Sequence, residues 1–297
     1  MISVFVLVLT LLGVALEADA QNAGIARLAQ ELTDSPEVGI RRRAAQGLGR
    51  TGTPQSVRLL GSALTGETNR SVRLEIVRAL RTIAFQRNPG YRSALAAIGR
   101  ASNDNFEADE MVRLRATEAL WEAGRKDLLD PVPLLEAQMD DRSQRLRLAA
   151  VAMLRKHSDT AAADALGRIA LDKAQSRTIR LAAVEALGAV PLSEGGVVGR
   201  SVAAANITVT TLLNIPPVAS PAALDLRHER QISYLTGVAL DPESSTTLVL
   251  RAVKSMGQIK DKSSIPTLRE LILNHPHDGI RKQAIGVLSH VMARQYE

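Results

Sequence analysis

Ile179-Arg-Leu-Ala-Ala-Val-Glu-Ala-Leu187 is the stretch that decides the fold. Its small and apolar residues Ile179, Ala183, Ala186 and Leu187 fall at i, i+4, i+7 and i+8, one stripe of a helix with 3.6 residues per turn. The pattern opens again at Ile40, Val72, Val112, Leu146, Leu248 and Ile280. Its second place holds Arg41, Arg73, Arg113, Arg147, Arg180 and Arg281, while Val249 takes that place in one copy. Successive copies start 32, 40, 34, 33, 69 and 32 residues apart. Self-similarity at such a period marks a stack of structural repeats, because one repeat cannot bury its apolar face alone. A step of 69 is about twice the others, so a degenerate copy is expected between residues 188 and 247.

Shorter amphipathic stretches lie between the copies: Pro54–Leu64, Tyr91–Ile98, Val132–Ala137, Ala161–Leu171 and Ser263–Leu273. Each repeat is therefore a pair of antiparallel helices with turns at Gly, Pro and Asp. The expectation is an all-α fold, an α-solenoid of about seven to eight helix pairs over residues 21–297. Hydrophobic residues at 45% can fill a long core, and aromatics at 2% suit helices packed on Ala and Leu. Residues 189–240 depart from the pattern. Gly195-Gly196, Ile207-Thr-Val-Thr-Thr211 and Pro216-Pro217 all resist a regular helix. A shortened copy starting at Ile207 and a helix from Ala222 to about Leu240 are expected there, the whole read as a decayed repeat, the alternative being a specificity insert.

The chain resembles the HEAT-repeat family, and more closely its short-repeat branch, the phycobilisome-lyase HEAT-like repeats. The Val/Ile/Leu-Arg pair, the Ala-x-x-Ala-Leu-Gly run and an upstream acid at Asp34, Glu67, Asp141, Asp172 and Asp241 carry the resemblance, over roughly residues 25–293. Tetratricopeptide repeats share a similar period, but their Trp, Tyr and Phe positions are missing. The resemblance implies that the six arginines form a ladder of Arg–Asp contacts along the stack. A planar guanidinium suits that place because it binds a carboxylate through two parallel hydrogen bonds. The resemblance also implies that the second helix of each pair lines the concave side.

The first twenty residues read differently. Val4 to Val14 is almost purely apolar, and Ala18-Asp19-Ala20 supplies a small-x-small pattern before Gln21. The run is shorter than the roughly 20 residues a membrane span needs. Met1–Val4 lacks the Lys or Arg usual at such a start. Residues 1–20 are expected to be a signal peptide, the alternative being an uncleaved anchor. With no cysteine, export asks for no oxidative folding. A bacterial periplasmic or secreted location follows, with no transmembrane span in the mature chain. The net charge of +6 becomes +8 once Glu17 and Asp19 leave with residues 1–20.

Outward positions on the second helices fall near i+3 and i+6. They supply the candidate partner-binding residues Arg43, Arg78, Arg115, Glu118, Ala149, Ala182, Arg251 and Lys254: charged flanks around an Ala-rich centre, suited to a partner helix or an extended peptide. Glu75 lies in the same series. Catalysis finds little support. His275-Pro-His277-Asp278 lacks enough ligands for a metal site unless His290 joins it, and otherwise reads as a polar turn. The deoxyhypusine hydroxylases, HEAT-like enzymes, use several His-Glu pairs for a di-iron centre; His228-Glu229 is one pair. Neither cofactor nor metal is expected. A nucleic-acid partner is disfavoured because Phe85, Tyr91, Phe106, Trp121, Tyr234 and Tyr296 are scattered rather than arranged to stack bases. The reading is a monomeric, exported, non-catalytic scaffold for a protein or peptide; an enzyme accessory or lyase-like subunit is the alternative, and a polyanion-binding module the third.

Overall fold

The computed structural model describes residues 20–157, 159–189 and 221–293. All regular structure among them is helical. The helices are α1 (residues 20–34), α2 (Val38–Thr51), α3 (Pro54–Gly66), α4 (Arg70–Phe85), α5 (Tyr91–Ala101), α6 (Glu110–Arg125) and α7 (Val132–Ala137). Then come α8 (Gln144–Lys156), α9 (Thr160–Leu171), α10 (Arg177–Ala189), α11 (Pro221–Leu240), α12 (Thr246–Ile259), α13 (Ile265–Asn274) and α14 (Asp278–Ala293). They alternate as first and second helices of successive pairs, the order expected of an α-solenoid. Two compact units divide the chain, residues 1–134 and 135–297.

Polar caps set the helix starts. The side chains of Thr53, Asn69, Asp109, Ser143 and Asp159 accept hydrogen bonds from backbone N–H groups in the first turns of α3, α4, α6, α8 and α9. Pro54 adds a fixed φ at the first position of α3. Gly52 ends α2 in the left-handed region at φ 66°, and a Cβ there would stand 1.9 Å from the Asn88 amide. Only glycine fits that turn.

In unit 1, α2 packs on α4 and α4 on α6, while α3 packs on α5. The repeated stripe makes these contacts. Ala44, Ile76 and Ala116 at i+4, and Leu48, Leu80 and Leu120 at i+8, are all buried. Fully burying one such Leu contributes about 2–3 kcal/mol. In unit 2, α8, α10, α12 and α14 form the corresponding row, with Ala150, Ala183, Ala252 and Ala284 buried at the i+4 places.

That row joins the copies that open at Ile179 and Leu248 directly. Helix α10 packs directly on α12, and α9 directly on α11. Ser255 Oγ donates to the Val184 carbonyl at 2.9 Å, and Gln231 Nε2 to the Leu187 carbonyl at 2.9 Å. The pairs α9/α10 and α11/α12 thus pack directly on each other. Most of the stretch in which the degenerate copy is expected, residues 190–220, lies outside the described residues. The shortened copy expected at Ile207 lies outside the described residues, as does the segment 1–19. No helix among the described residues is long and apolar enough to cross a membrane.

Candidate protein-interaction site

The place that six arginines share across the repeats has a local geometry. Arg41 donates from Nη1 to the carbonyls of Ser35 and Pro36, six and five residues upstream. Arg113 does the same to Glu107 and Ala108, and Arg281 to His275 and Pro276. Arg147 reaches the Asp141 carbonyl at 3.1 Å. Each guanidinium thereby closes the turn that leads into its own helix. Arg41 and Arg73 also reach the next repeat, pairing with Glu67 and Glu107 at 2.8 and 2.7 Å. Arg180 differs: its Nε donates to the Ala170 carbonyl at 2.9 Å, and its charge helps hold the Asp241 carboxyl below the ordinary range, after the Glu243 N–H, whose hydrogen bond is the main cause. Arg113 is buried to within 1%.

The acids have a second task. Glu67, Glu107 and Asp141 accept the backbone N–H two residues on, from Asn69, Asp109 and Ser143. Asp172 and Asp241 do so for Ala174 and Glu243. Glu107 escaped the sequence reading although it stands five residues before Val112, as Glu67 does before Val72. Asp34 proves not to belong: it accepts from the Thr33 hydroxyl, and Ser35 caps the Glu37 N–H instead.

The opposite face of the second helices carries the candidate partner-binding residues. Arg78 on α4 and Arg115 and Glu118 on α6 come together in unit 1, where they line one open cleft of ≈ 450 Å³. Arg81, Glu122, Leu74, Val77 and Ala119 complete it. The spacing explains the grouping: Arg78 and Arg81, like Arg115, Glu118 and Glu122, step by three or four residues along faces turned away from the buried stripe. Arg115 pairs with Glu118 at 2.6 Å, and Arg81 bridges to Glu122 between the two helices. Arg78 and Arg115 keep 68% and 59% of their side-chain surface exposed, so both can reach a partner.

One residue of the outward series is not outward. Glu75 is 6% exposed, with its Oε2 3.5 Å from Arg78 and 3.7 Å from Arg42. Its Oε1 has no hydrogen-bond partner. Arg43 is exposed on α2, outside the cleft. The remaining candidates lie in unit 2. Ala149 on α8 and Ala182 on α10 are half-buried, Arg251 on α12 pairs with Glu185 on α10, and Lys254 is exposed.

Two of the aromatics also stand near this edge of unit 1. Phe85, at the end of α4, lies under the Arg81 guanidinium at 4.9 Å and the Lys126 ammonium at 5.2 Å. Trp121 on α6 has Arg125 above it at 5.2 Å. Both rings are covered by cations rather than open for stacking.

The histidine cluster is a turn. His275 Nδ1 accepts the His277 N–H at 3.1 Å, and His277 Nδ1 accepts the Gly279 N–H at 3.2 Å. His290 Nδ1 lies 2.9 Å from the Gly286 carbonyl in its own helix. His228 approaches Asp261 at 3.8 Å. No group of three or more His, Cys, Asp or Glu among the described residues is arranged to hold a metal ion.

Family models for HEAT repeats match residues 25–106 and 104–188, and one for the PBS lyase HEAT-like repeat matches residues 249–274. No curated protein matches the sequence significantly. Among solved structures, the chain is similar to human deoxyhypusine hydroxylase in complex with glycerol. Identity there is 15%, the match covers 94% of this chain and 99% of that one, and the TM-score is 0.39. It is also similar to the complex of CpcE and CpcF of phycocyanin lyase from Nostoc, at 17% identity, 80% and 83% coverage and a TM-score of 0.30. Likenesses this distant carry no correspondence between individual residues. The repeat itself does: with matches spanning residues 25–188, more than half of its length, the chain belongs to the HEAT-repeat family.

Proposed function

We propose that this chain is an exported, non-catalytic scaffold that holds a protein or peptide segment on the face of its second helices, seated in the cleft between α4 and α6. The observation that carries the reading is the convergence of Arg78, Arg115 and Glu118 on one cleft with an apolar lining of Leu74, Val77 and Ala119. The helix backbones that carry these side chains are already packed, so binding orders side chains but no backbone. The cleft accepts a few side chains, not a folded domain, which points to a peptide segment or one face of a helix.

Selection of an unbiased displayed peptide library on the purified full chain tests this. Enriched peptides should lose binding to a variant carrying Arg78→Ala and Arg115→Ala, with the fold intact by circular dichroism. Peptides that bind both proteins alike would place the partner surface elsewhere. Export rests on the Val4–Val14 run and Ala18-Asp19-Ala20. N-terminal sequencing of the protein from cell fractions should find a chain beginning at Gln21 outside the cytoplasm; a cytoplasmic product beginning at Met1 would reject it.

A further inference from the structure

We infer that the segment recognised by the α4–α6 cleft is an acidic peptide bearing a small aliphatic side chain; this rests on the peptide-binding reading above. Arg78, Arg81 and Arg115 outnumber Glu118 and Glu122 in the cleft lining. The three guanidinium groups are not equally satisfied. Arg81 is committed to Glu122 across the helices. Arg78 has only the long 3.5 Å contact to Glu75, and that carboxylate is shared with Arg42 at 3.7 Å. The Arg115–Glu118 pair lies one helical turn apart on an exposed surface, where such a pair is worth little and exchanges easily. A carboxylate brought to this place can pair with an exposed guanidinium through two parallel hydrogen bonds.

The lining between the charges sets the other half of the specificity. Val77 and Ala119 are 2% exposed and Leu74 is half-buried, so the apolar part is shallow and built of small groups. It accepts an aliphatic side chain and offers no ring on which a base could stack. Glu118 and Glu122 would repel successive phosphates, whereas a peptide can place its carboxylates beside the arginines alone. Charge complementarity of this kind mainly speeds association and fixes register.

Fluorescence anisotropy with the full chain tests the inference on four probes. These are a short labelled peptide rich in Asp and Glu with one Leu, its Asn/Gln counterpart, its Leu→Ser counterpart, and a labelled oligo-dT. The first should bind, weaken with added salt, and lose about tenfold in affinity when either the acids or the Leu is replaced. The same loss is expected with the chain carrying Arg78→Ala and Arg115→Ala, and none with Arg58→Ala on α3. If the neutral peptide binds as well as the acidic one and both fail on the double variant, the acidic inference falls while the cleft reading stands. Binding that ignores the double variant would overturn the cleft reading itself. Tighter binding of oligo-dT, with the Ser and Leu peptides alike, would make the face a polyanion surface, and no binding by any peptide also overturns the proposal.

Discussion

Arg41 holds Glu67 through two hydrogen bonds, Nε at 2.8 Å from one carboxylate oxygen and Nη2 at 3.2 Å from the other. Its third donor group closes the turn at Ser35 and Pro36. Glu67 meanwhile caps Asn69. One arginine thus fastens its own turn, its own helix and the turn of the next repeat. Replacing it leaves a half-buried carboxylate short of its partner. Arg41→Ala should lower stability by about 1–3 kcal/mol, the usual cost of losing charge-assisted hydrogen bonds. Exposed Arg58→Ala should stay within about 0.5 kcal/mol. Urea unfolding of both variants measures this, and equal small effects would reduce the arginine series to surface decoration.

The same contacts give a pH dependence with a defined sign. Burial pushes the Glu67 and Asp109 carboxyls up. Hydrogen bonds outweigh it, from Arg41, Asn69 and Thr68 on Glu67 and from Arg70, Val112 and Met111 on Asp109, so both sit below their ordinary values. A carboxyl depressed in the folded state stabilises fully above its unfolded pKa and loses that contribution as pH falls through the folded one. Stability should therefore be level near neutrality and decline below the ordinary Glu value of 4.5. Glu67→Gln should be less stable at neutral pH and show a shallower acid limb. An acid limb unchanged by Glu67→Gln, in urea unfolding at stepped pH, would remove Glu67 from this account.

Where the ladder stops, both of its halves are gone. Val249 stands in the place of Arg41 and Arg73, and His275 in the place of Glu67 and Glu107, five residues before Ile280. His275 keeps only the capping task, accepting the His277 N–H. An unpaired acid there would have no arginine to meet, and an unpaired arginine no acid. Val249→Arg and His275→Glu should each destabilise alone. Together they should recover part of the loss, with a coupling of about 0.5–3 kcal/mol in a double-mutant cycle. Strictly additive effects would mean that the two positions do not face each other as the other pairs do.

Much of this was legible in the sequence. The i, i+4, i+7 and i+8 stripe names the buried face because helical geometry leaves few alternatives; Leu48, Leu80, Leu154 and Leu187 all emerge with no exposed surface. Arg78, Arg115 and Glu118 could be assigned to the outward face from spacing. That they share a cleft with Arg81, Glu122 and Leu74 could not, since it depends on how far α6 is offset along α4. Glu75 also escaped: its place in the helix points outward, but α2 brings Arg42 over it and closes it in. The 69-residue step from Ile179 to Leu248 is different in kind. Spacing counts residues along the chain and does not show that α10 packs directly on α12.

That seam gives the last prediction. Lys173 reaches Asp241 at 3.4 Å, Ser255 binds the Val184 carbonyl, and a Cβ on Gly188 would stand 2.6 Å from the Ser255 Cβ. These contacts join α9 and α10 directly to α11 and α12. Gln231 meets Leu187 near the end of α10, about ten residues into α11, so the chain must travel roughly 15 Å back to begin that helix. A Gly/Ser linker of about ten residues spans roughly that distance. Replacing residues 190–220 with such a linker should change the unfolding free energy by no more than about 1 kcal/mol, since loop-closure entropy varies slowly with length. Gly188→Val, in contrast, forces two helices apart and should cost about 1–3 kcal/mol. Thermal and urea unfolding decide between them. Loss of folding on linker replacement, with Gly188→Val tolerated, would show that the omitted residues and not the α10–α12 seam hold this part of the stack together.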